Sequence, residues 1–288
     1  EHAAPEGNNL LAQLVDAVEA AEGHIAALER GQRIHRRRVL CDARLDLAVA
    51  VLSAQAVEVL LSSGEEGFAR GVSYPVVPSP YIFSGPVAVA VGDLDGDGAP
   101  DLVTANYQTE PIPSTVSVLL NQSDGTFASH VEDPVDKGPV NVAIAELTGD
   151  GIVDLAVANY YSYTLLLLPG RGDGSFGPAL APIMMEAKDF AVADLDLDGR
   201  QDLVVAGGHE VSVLLARPDG TLAPPVEYEA SQQQLTAVLI ADLDPDGIPD
   251  LLALGYTASV PERWGTLAVL RGNGDGTFAP KVAYVAGS

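Results

Sequence analysis

The sequence predicts an all-β fold, a β-propeller of four-stranded blades behind an N-terminal amphipathic helix, and three observations carry that expectation. An Asp-Leu block followed by small and β-branched residues recurs at Asp46, Asp101, Asp154, Asp202 and Asp250, with spacings of 55, 53, 48 and 48 residues. A second apolar stretch follows each block, and then a turn containing Gly and usually an aromatic residue. An Asp-rich loop precedes four of the five blocks. A fixed period of this length marks a repeat architecture, and four short strands per period mark a propeller blade.

The elements of one repeat follow from residue type. Segments such as Val87–Val91, Leu102–Ala105 and Val116–Leu120 are short, apolar and partly β-branched, and Gly, Asn, Asp and Pro bound them, so they read as strands. The turns at Asp124-Gly125, Asp173-Gly174, Asp219-Gly220 and Asp275-Gly276 read as hairpins, because Gly tolerates the positive φ that tight hairpins require. A lone blade cannot bury both of its faces, so neighbouring blades must stack. A sandwich of short strands would not require one motif at the same place in every unit. The first repeat is worn: it keeps Asp42 and Asp46 but has Arg38, Leu40 and Ala43 where ligands or Gly would stand. Five units leave three arrangements open: a five-bladed ring, a ring with blades missing from this chain, or an arc completed by a partner.

Residues 1–38 read as a helix and a basic linker, and 39–288 as the propeller. Leu11, Leu14, Val18, Ala21, Ile25 and Leu28 are spaced 3, 4, 3, 4 and 3, a helical stripe with heptad phase. Asn8 or Asn9 would cap the helix over 9–30 and Gly31 would end it. It would fold onto the propeller or form a coiled coil, and Gly23 weakens a long straight helix. Arg30, Arg33, Arg36, Arg37 and Arg38 then hold one third of the 15 basic residues. Residues 9–38 are thus a candidate for self-association against an acidic surface, and a processing site is a further option.

Acidic residues number 40 and the net charge is −25, which argues against nucleic acid and anionic membrane surfaces, since both need a basic face. No apolar run reaches the roughly 18 residues of a membrane span. The single cysteine, Cys41, allows neither an internal disulfide nor a thiolate metal site.

Of the 40 acidic residues, 15 lie in the four loops. These run Asp93, Asp95, Asp97, Ala99, Asp101; Glu146, Thr148, Asp150, Ile152, Asp154; Asp194, Asp196, Asp198, Arg200, Asp202; and Asp242, Asp244, Asp246, Ile248, Asp250, at loop positions 1, 3, 5, 7 and 9. Gly stands at position 6 in all four. Carboxylates this close repel one another unless a cation neutralises them, and hard oxygen ligands select calcium, with the position-7 carbonyl adding a ligand. Transition metals would call for His or Cys, which these loops lack. An EF-hand would need flanking helices and a Glu at position 12, where this chain has Thr104, Val157, Val205 and Ala253 within evident strands. Three sites are therefore expected to bind Ca2+ strongly, and the second, with Glu146 and Thr148, more weakly.

The Asp-x-Asp-x-Asp-Gly-x-x-Asp-Leu loops, the Thr-Val-Ser-Val-Leu-Leu strand and the Asp-Gly-Thr-Phe turn resemble FG-GAP/VCBS-type repeats, which also build the propeller of integrin α subunits and of some lectins. The resemblance covers roughly residues 40–285. It implies a secreted or cell-surface protein with calcium in its blade loops and a role in adhesion or carbohydrate binding. Propellers of this family usually have more blades than the five countable here.

Other motifs carry less. Arg171-Gly172-Asp173 spells an adhesion tripeptide, but Asp-Gly belongs to the turn itself, as Asp219-Gly220 and Asp275-Gly276 show. His2, His24, His35, His130 and His209 are scattered, no Gly-x-Ser-x-Gly elbow is present, and the carboxylates available to a glycosidase pair belong to the calcium loops. Tyr107, Tyr160, Tyr161, Tyr163, Tyr256 and Trp264 all follow the second strand of their blades. They are candidate ligand-binding residues, able to stack on sugar rings, and the competing reading is packing between blades. The expected function is a non-catalytic module that recognises carbohydrate or protein through propeller-face loops. The alternatives are a structural subunit of an extracellular filament and, behind it, a polysaccharide-active enzyme.

Overall fold

The computed structural model describes residues 32–37, 46–61, 71–77, 84–108, 113–256 and 265–286. They form five four-stranded antiparallel sheets, each built from strands consecutive in the chain. The first holds β1 (Gln32–Arg37), β2 (Asp46–Val51), β3 (Ala56–Leu60) and β4 (Val72–Pro75). The second holds β5 (Gly85–Gly92), β6 (Asp101–Tyr107), β7 (Thr115–Leu119) and β8 (Val131–Pro134). The third holds β9 (Pro139–Ala145), β10 (Asp154–Asn159), β11 (Thr164–Leu168) and β12 (Ile183–Met184). The fourth holds β13 (Asp189–Ala193), β14 (Asp202–Gly207), β15 (Glu210–Leu214) and β16 (Val226–Glu229). The fifth holds β17 (Leu235–Ala241), β18 (Asp250–Tyr256), β19 (Gly265–Leu270) and β20 (Val282–Ala286).

One expectation is corrected. The basic stretch read as a linker contains β1, which carries Arg33, Arg36 and Arg37 and pairs with β2 from Gln32↔Val51 to Arg37↔Asp46. The first sheet thus begins ahead of residue 39. The worn repeat still has a first strand because its pairing partner, the apolar run Asp46–Val51, is intact. The helix expected over 9–30, together with Arg30, Arg38 and Asp42, lies outside the described residues.

The sheets stack in chain order through their first strands, with β1 beside β5, β5 beside β9, β9 beside β13 and β13 beside β17. Burial explains why the middle strands read as near-continuous apolar runs: β7 and β11 are buried at every position because both of their faces meet another sheet. Alternate residues serve alternate seams. In the second sheet Val89, Val91, Leu102 and Leu119 pack against Ala48, Ala50, Val57 and Val59 of the first. Their neighbours Val103, Ala105, Val116 and Val118 pack against Val142, Leu155, Val157 and Leu166 of the third. The next two seams repeat the scheme, with Leu165 and Leu167 facing Leu203 and Val205, and Val211 and Val213 facing Leu251 and Ala253. A fifth apolar cluster, including Leu252, Leu254, Leu267 and Val269, lies on the far face of the last sheet.

The fourth strands are outer edges and follow another rule. β8 and β16 are largely exposed and carry acidic residues, and Pro134 ends β8, devices that discourage edge-to-edge pairing. Polar clamps also cross the inner seams. Asn141 of β9 donates through Nδ2 to Asp189 Oδ1 of β13 (2.7 Å), and Val238 of β17 donates its N–H to Asp189 Oδ2 (3.1 Å). One buried carboxylate thereby ties three sheets together.

Candidate metal loops and an aromatic cleft

Antiparallel strands alternate direction, so the loops between first and second strands and the turns between third and fourth gather at one end of the stack. The loops between second and third strands, and the linkers between sheets, gather at the other. The Asp-rich loops and the Asp-Gly turns share the first end, and most of the candidate aromatics lie at the second.

Each Asp-rich loop folds on itself through Asx-type bonds. Asp93 accepts the N–H of Gly96 at Oδ1 (2.8 Å) and of Gly98 at Oδ2 (3.0 Å), and Asp97 Oδ1 accepts that of Ala99 (2.7 Å). Asp194 and Asp242 likewise accept Gly199 and Gly247 at 2.9 and 3.0 Å. The position-6 glycines, Gly98, Gly151, Gly199 and Gly247, all have φ between +82° and +89°, a region costly for other residues.

Carboxylate oxygens converge within 4.8 Å in three loops: Asp93, Asp95 and Asp101; Asp194, Asp196 and Asp202; and Asp242, Asp244 and Asp246. The loop with Glu146 forms no such group among the described residues. Its longer side chain turns back on the loop, where Glu146 Oε1 accepts the N–H groups of Gly149 and Asp150. In that loop Thr148 Oγ1 is buried without a hydrogen-bond partner, an oxygen left with lone pairs and nothing to receive them. The three convergent sets are all hard oxygen, which fits calcium better than a transition metal. Burial raises the pKa of Asp101 and Asp202, as desolvation disfavours their charge against the lowering effect of backbone N–H donors. Asp196 is raised by desolvation and then by the charge of Asp198. A bound divalent ion would offset these penalties.

The position-9 aspartates have a second role that spacing did not reveal. Asp101 accepts the N–H of Leu94 (2.9 Å) and, across the sheet, of Asn121 (2.8 Å). Asp154 bridges Leu147 and Gly170, Asp202 bridges Leu195 and Ala216, and Asp250 bridges Leu243 and Gly272. Each is almost wholly buried and fastens its loop to the end of the third strand. Asp97 and Asp198 fall outside the convergent groups. Asp198 instead pairs with Arg200, whose position-7 carbonyl was expected to be a ligand. In the last loop Arg271 Nη1 lies 2.5 Å from Asp250 Oδ2 and 3.2 Å from Asp244 Oδ2, so a guanidinium already supplies positive charge there. The signal was legible: the corresponding residues of the other repeats are Leu120, Pro169 and Leu215.

The first three Asp-rich loops also lean on the turn of the following sheet. Leu94 O accepts the N–H of Gly174 (3.2 Å), a Cβ on Gly220 would strike Thr148 O, and one on Gly276 would meet Asp196 Cβ at 3.3 Å. In the turns, Asp173 Oδ1 accepts the backbone N–H (3.0 Å) and hydroxyl (2.6 Å) of Ser175, so the Arg-Gly-Asp aspartate holds its own turn. The turn aromatics fold inward, and Phe127 meets Tyr74 edge-on with centroids 5.3 Å apart.

At the opposite end, the structure brings four of the six candidate aromatics together. Tyr107 and Tyr161 approach with centroids 6.0 Å apart and planes at 55°, while Tyr160 stands 5.4 Å from Tyr161 and 6.3 Å from Tyr163. Tyr107 and Tyr161 line a cleft of about 580 Å³ between the second and third sheets. Tyr256 ends β18, and Trp264 lies outside the described residues.

A family model described as an FG-GAP-like repeat matches residues 42–104, 146–205 and 194–253, more than half of the chain. No curated protein matches the chain in sequence. Among solved structures, it is similar to a lectin of Agrocybe aegerita, studied for recognition of non-reducing terminal N-acetylglucosamine, with 21% identity and a TM-score of 0.59. That match covers 88% of this chain and 66% of the lectin. A biofilm matrix protein of V. cholerae matches at 20% identity and a TM-score of 0.44, over 87% of this chain and 38% of that one. The chain thus spans less than two thirds of either protein's length.

Proposed function

Because the chain belongs to the family of FG-GAP-like repeats, we propose that it is a non-catalytic, calcium-stabilised extracellular binding module. Its five sheets act as propeller blades, secreted or at a cell surface, and recognise carbohydrate or protein at the end remote from the Asp-rich loops. The observation that carries this reading is the division of labour between the two ends. Convergent carboxylates, tied into their loops by hydrogen bonds and at Asp244 by an ion pair with Arg271, occupy one end, and exposed aromatic side chains around a cleft occupy the other.

Calcium would be held by Asp93, Asp95 and Asp101, by Asp194, Asp196 and Asp202, and by Asp242, Asp244 and Asp246, with Thr148 Oγ1 contributing to a weaker site. The ion supplies positive charge to groups that otherwise repel. The protein's own residues set the loop shape and transmit its order to the next sheet through the turn contacts. A binding role is favoured over glycoside hydrolysis because that chemistry takes two facing carboxylates, whereas the described residues lining the cleft include one, Asp136. The lectin likeness supports the same reading at the level of fold.

The test is a glycan and matrix-protein array probed with the intact chain in calcium. Binding to a discrete subset of ligands is expected. An intact, calcium-loaded chain that binds none of them, or one that cleaves a polysaccharide, would contradict the proposal.

A further inference from the structure

We infer that the cleft between the second and third sheets is a pyranose-binding site with Tyr161 and Tyr107 as its platform; this rests on the binding-module reading and names its ligand class. The cleft is walled by Tyr107 and Gln108 at the end of β6, by Pro113 and Ser114 ahead of β7, by the linker 135–138, and by the turn 160–163.

Tyr161 is 62% exposed, yet it is held in place. Its ring lies directly on Gly138, a glycine at φ +69°, where a Cβ would run into the ring. The linker and the turn are stitched together around it. Lys137 N–H donates to Ser162 Oγ (2.8 Å), Ser162 N–H to Lys137 O (3.2 Å), and Tyr160 N–H to Gly138 O (2.8 Å). The Thr164 hydroxyl donates to Asp136 Oδ2 (2.7 Å), which orients that carboxylate at the cleft wall. A large aromatic face exposed to water yet fixed by a glycine seat and several hydrogen bonds is preorganised for contact.

The wall chemistry selects the ligand. The two tyrosine planes open at 55°, so they form a splayed floor instead of a closed stack. Val135 adds apolar surface, and Gln108, Ser114 and Asp136 place a mixture of donors and acceptors beside it. A pyranose has this character: one face of C–H groups to lay on an aromatic ring and a rim of hydroxyls that both donate and accept. An apolar peptide side chain would use the floor but offer no donor to Asp136 Oδ1, the oxygen that Thr164 does not engage. A cleft of about 580 Å³ is in the ordinary range for small-ligand sites and has room for a sugar ring with part of a second.

The experiment titrates the intact, calcium-loaded chain with methyl glycosides of glucose, galactose, mannose and N-acetylglucosamine, and with their disaccharides, by saturation-transfer NMR and calorimetry. Y161A and Y107A are expected to weaken binding of at least one probe by about tenfold or more, with Tm in calcium unchanged. Y107F should retain affinity, and D136N should lower it several-fold while keeping the Thr164 bond. Sugar binding that survives Y161A and Y107A would overturn the site and leave the binding-module reading standing. Binding of a protein but of no sugar, abolished by Y161A, would overturn the ligand class. Binding of neither sugar nor protein would remove both.

Discussion

At the scale of the residue, the loop carboxylates divide into two kinds that one substitution series separates. Asp194, Asp196 and Asp202 converge as one carboxylate group, but Asp202 is buried and accepts the backbone N–H groups of Leu195 and Ala216, whereas Asp194 and Asp196 lie nearer solvent. Asp202→Ala leaves two buried donors unpaired, at about 1–3 kcal/mol each, and should therefore lower Tm in chelator as well as in calcium. Asp196→Ala should lower Tm in calcium and have little effect in chelator. Equal behaviour of the two variants in chelator would remove the distinction. Arg271 makes a sharper case. Its guanidinium sits against Asp244 and Asp250, so Arg271→Gln should raise calcium affinity at the last loop, read as a stronger titration step by calorimetry. Unchanged affinity would mean that the arginine does not compete with the ion.

At the scale of the element, the Asp-Gly turns have their own pH signature. The hydroxyls of Thr126, Ser175, Thr221 and Thr277 hold the pKa of Asp124, Asp173, Asp219 and Asp275 below the ordinary 3.8, followed in effect by the same residues' backbone N–H groups. A carboxylate with a depressed folded pKa adds stability that is present above its unfolded value and lost as the pH falls through the folded value. Thr277→Val should thus lower Tm at neutral pH and lose its effect under acid conditions below 3.8. A loss of the same size at both pH values would sink the assignment. Much of this element was legible in advance, because Asp-Gly between apolar runs and Gly at loop position 6 are conformational requirements written as residue types. The strand at Gln32–Arg37 was not legible: Arg and His dominate it, and only its partner Asp46–Val51 has strand character. The pairing of Gly138 with Tyr161 was equally hidden, since nothing in local sequence ties a linker glycine to a ring 23 positions later.

At the scale of the whole molecule, stability comes from seams, and the Asp-rich loops reach across them. The five sheets and their order were readable from the repeat, and so was the role of the middle strands, because a run apolar at every position must be covered on both faces. Which residue faces which neighbour follows from strand alternation once the stack exists. The Asp189 clamp was out of reach, because it joins residues about 50 positions apart through a single buried carboxylate. Asp189→Ala should loosen the third, fourth and fifth sheets together, seen as faster amide exchange in β9, β13 and β17. Protection lost in β13 alone would contradict the three-sheet clamp.

In the proposed function, bound calcium holds the stack together through the Asp-rich loops. This role of the ion is tested most directly by thermal unfolding of the intact chain in calcium and in chelator at matched ionic strength. A site filled at roughly 100 times its dissociation constant adds about 2.7 kcal/mol to folding, so three such sites would rival the whole stability of an ordinary domain. Chelation is expected to lower Tm by a large amount, and calcium but not magnesium should restore it. An unchanged Tm would mean that the loops are solvated turns, and the metal assignment with its extracellular setting would fall.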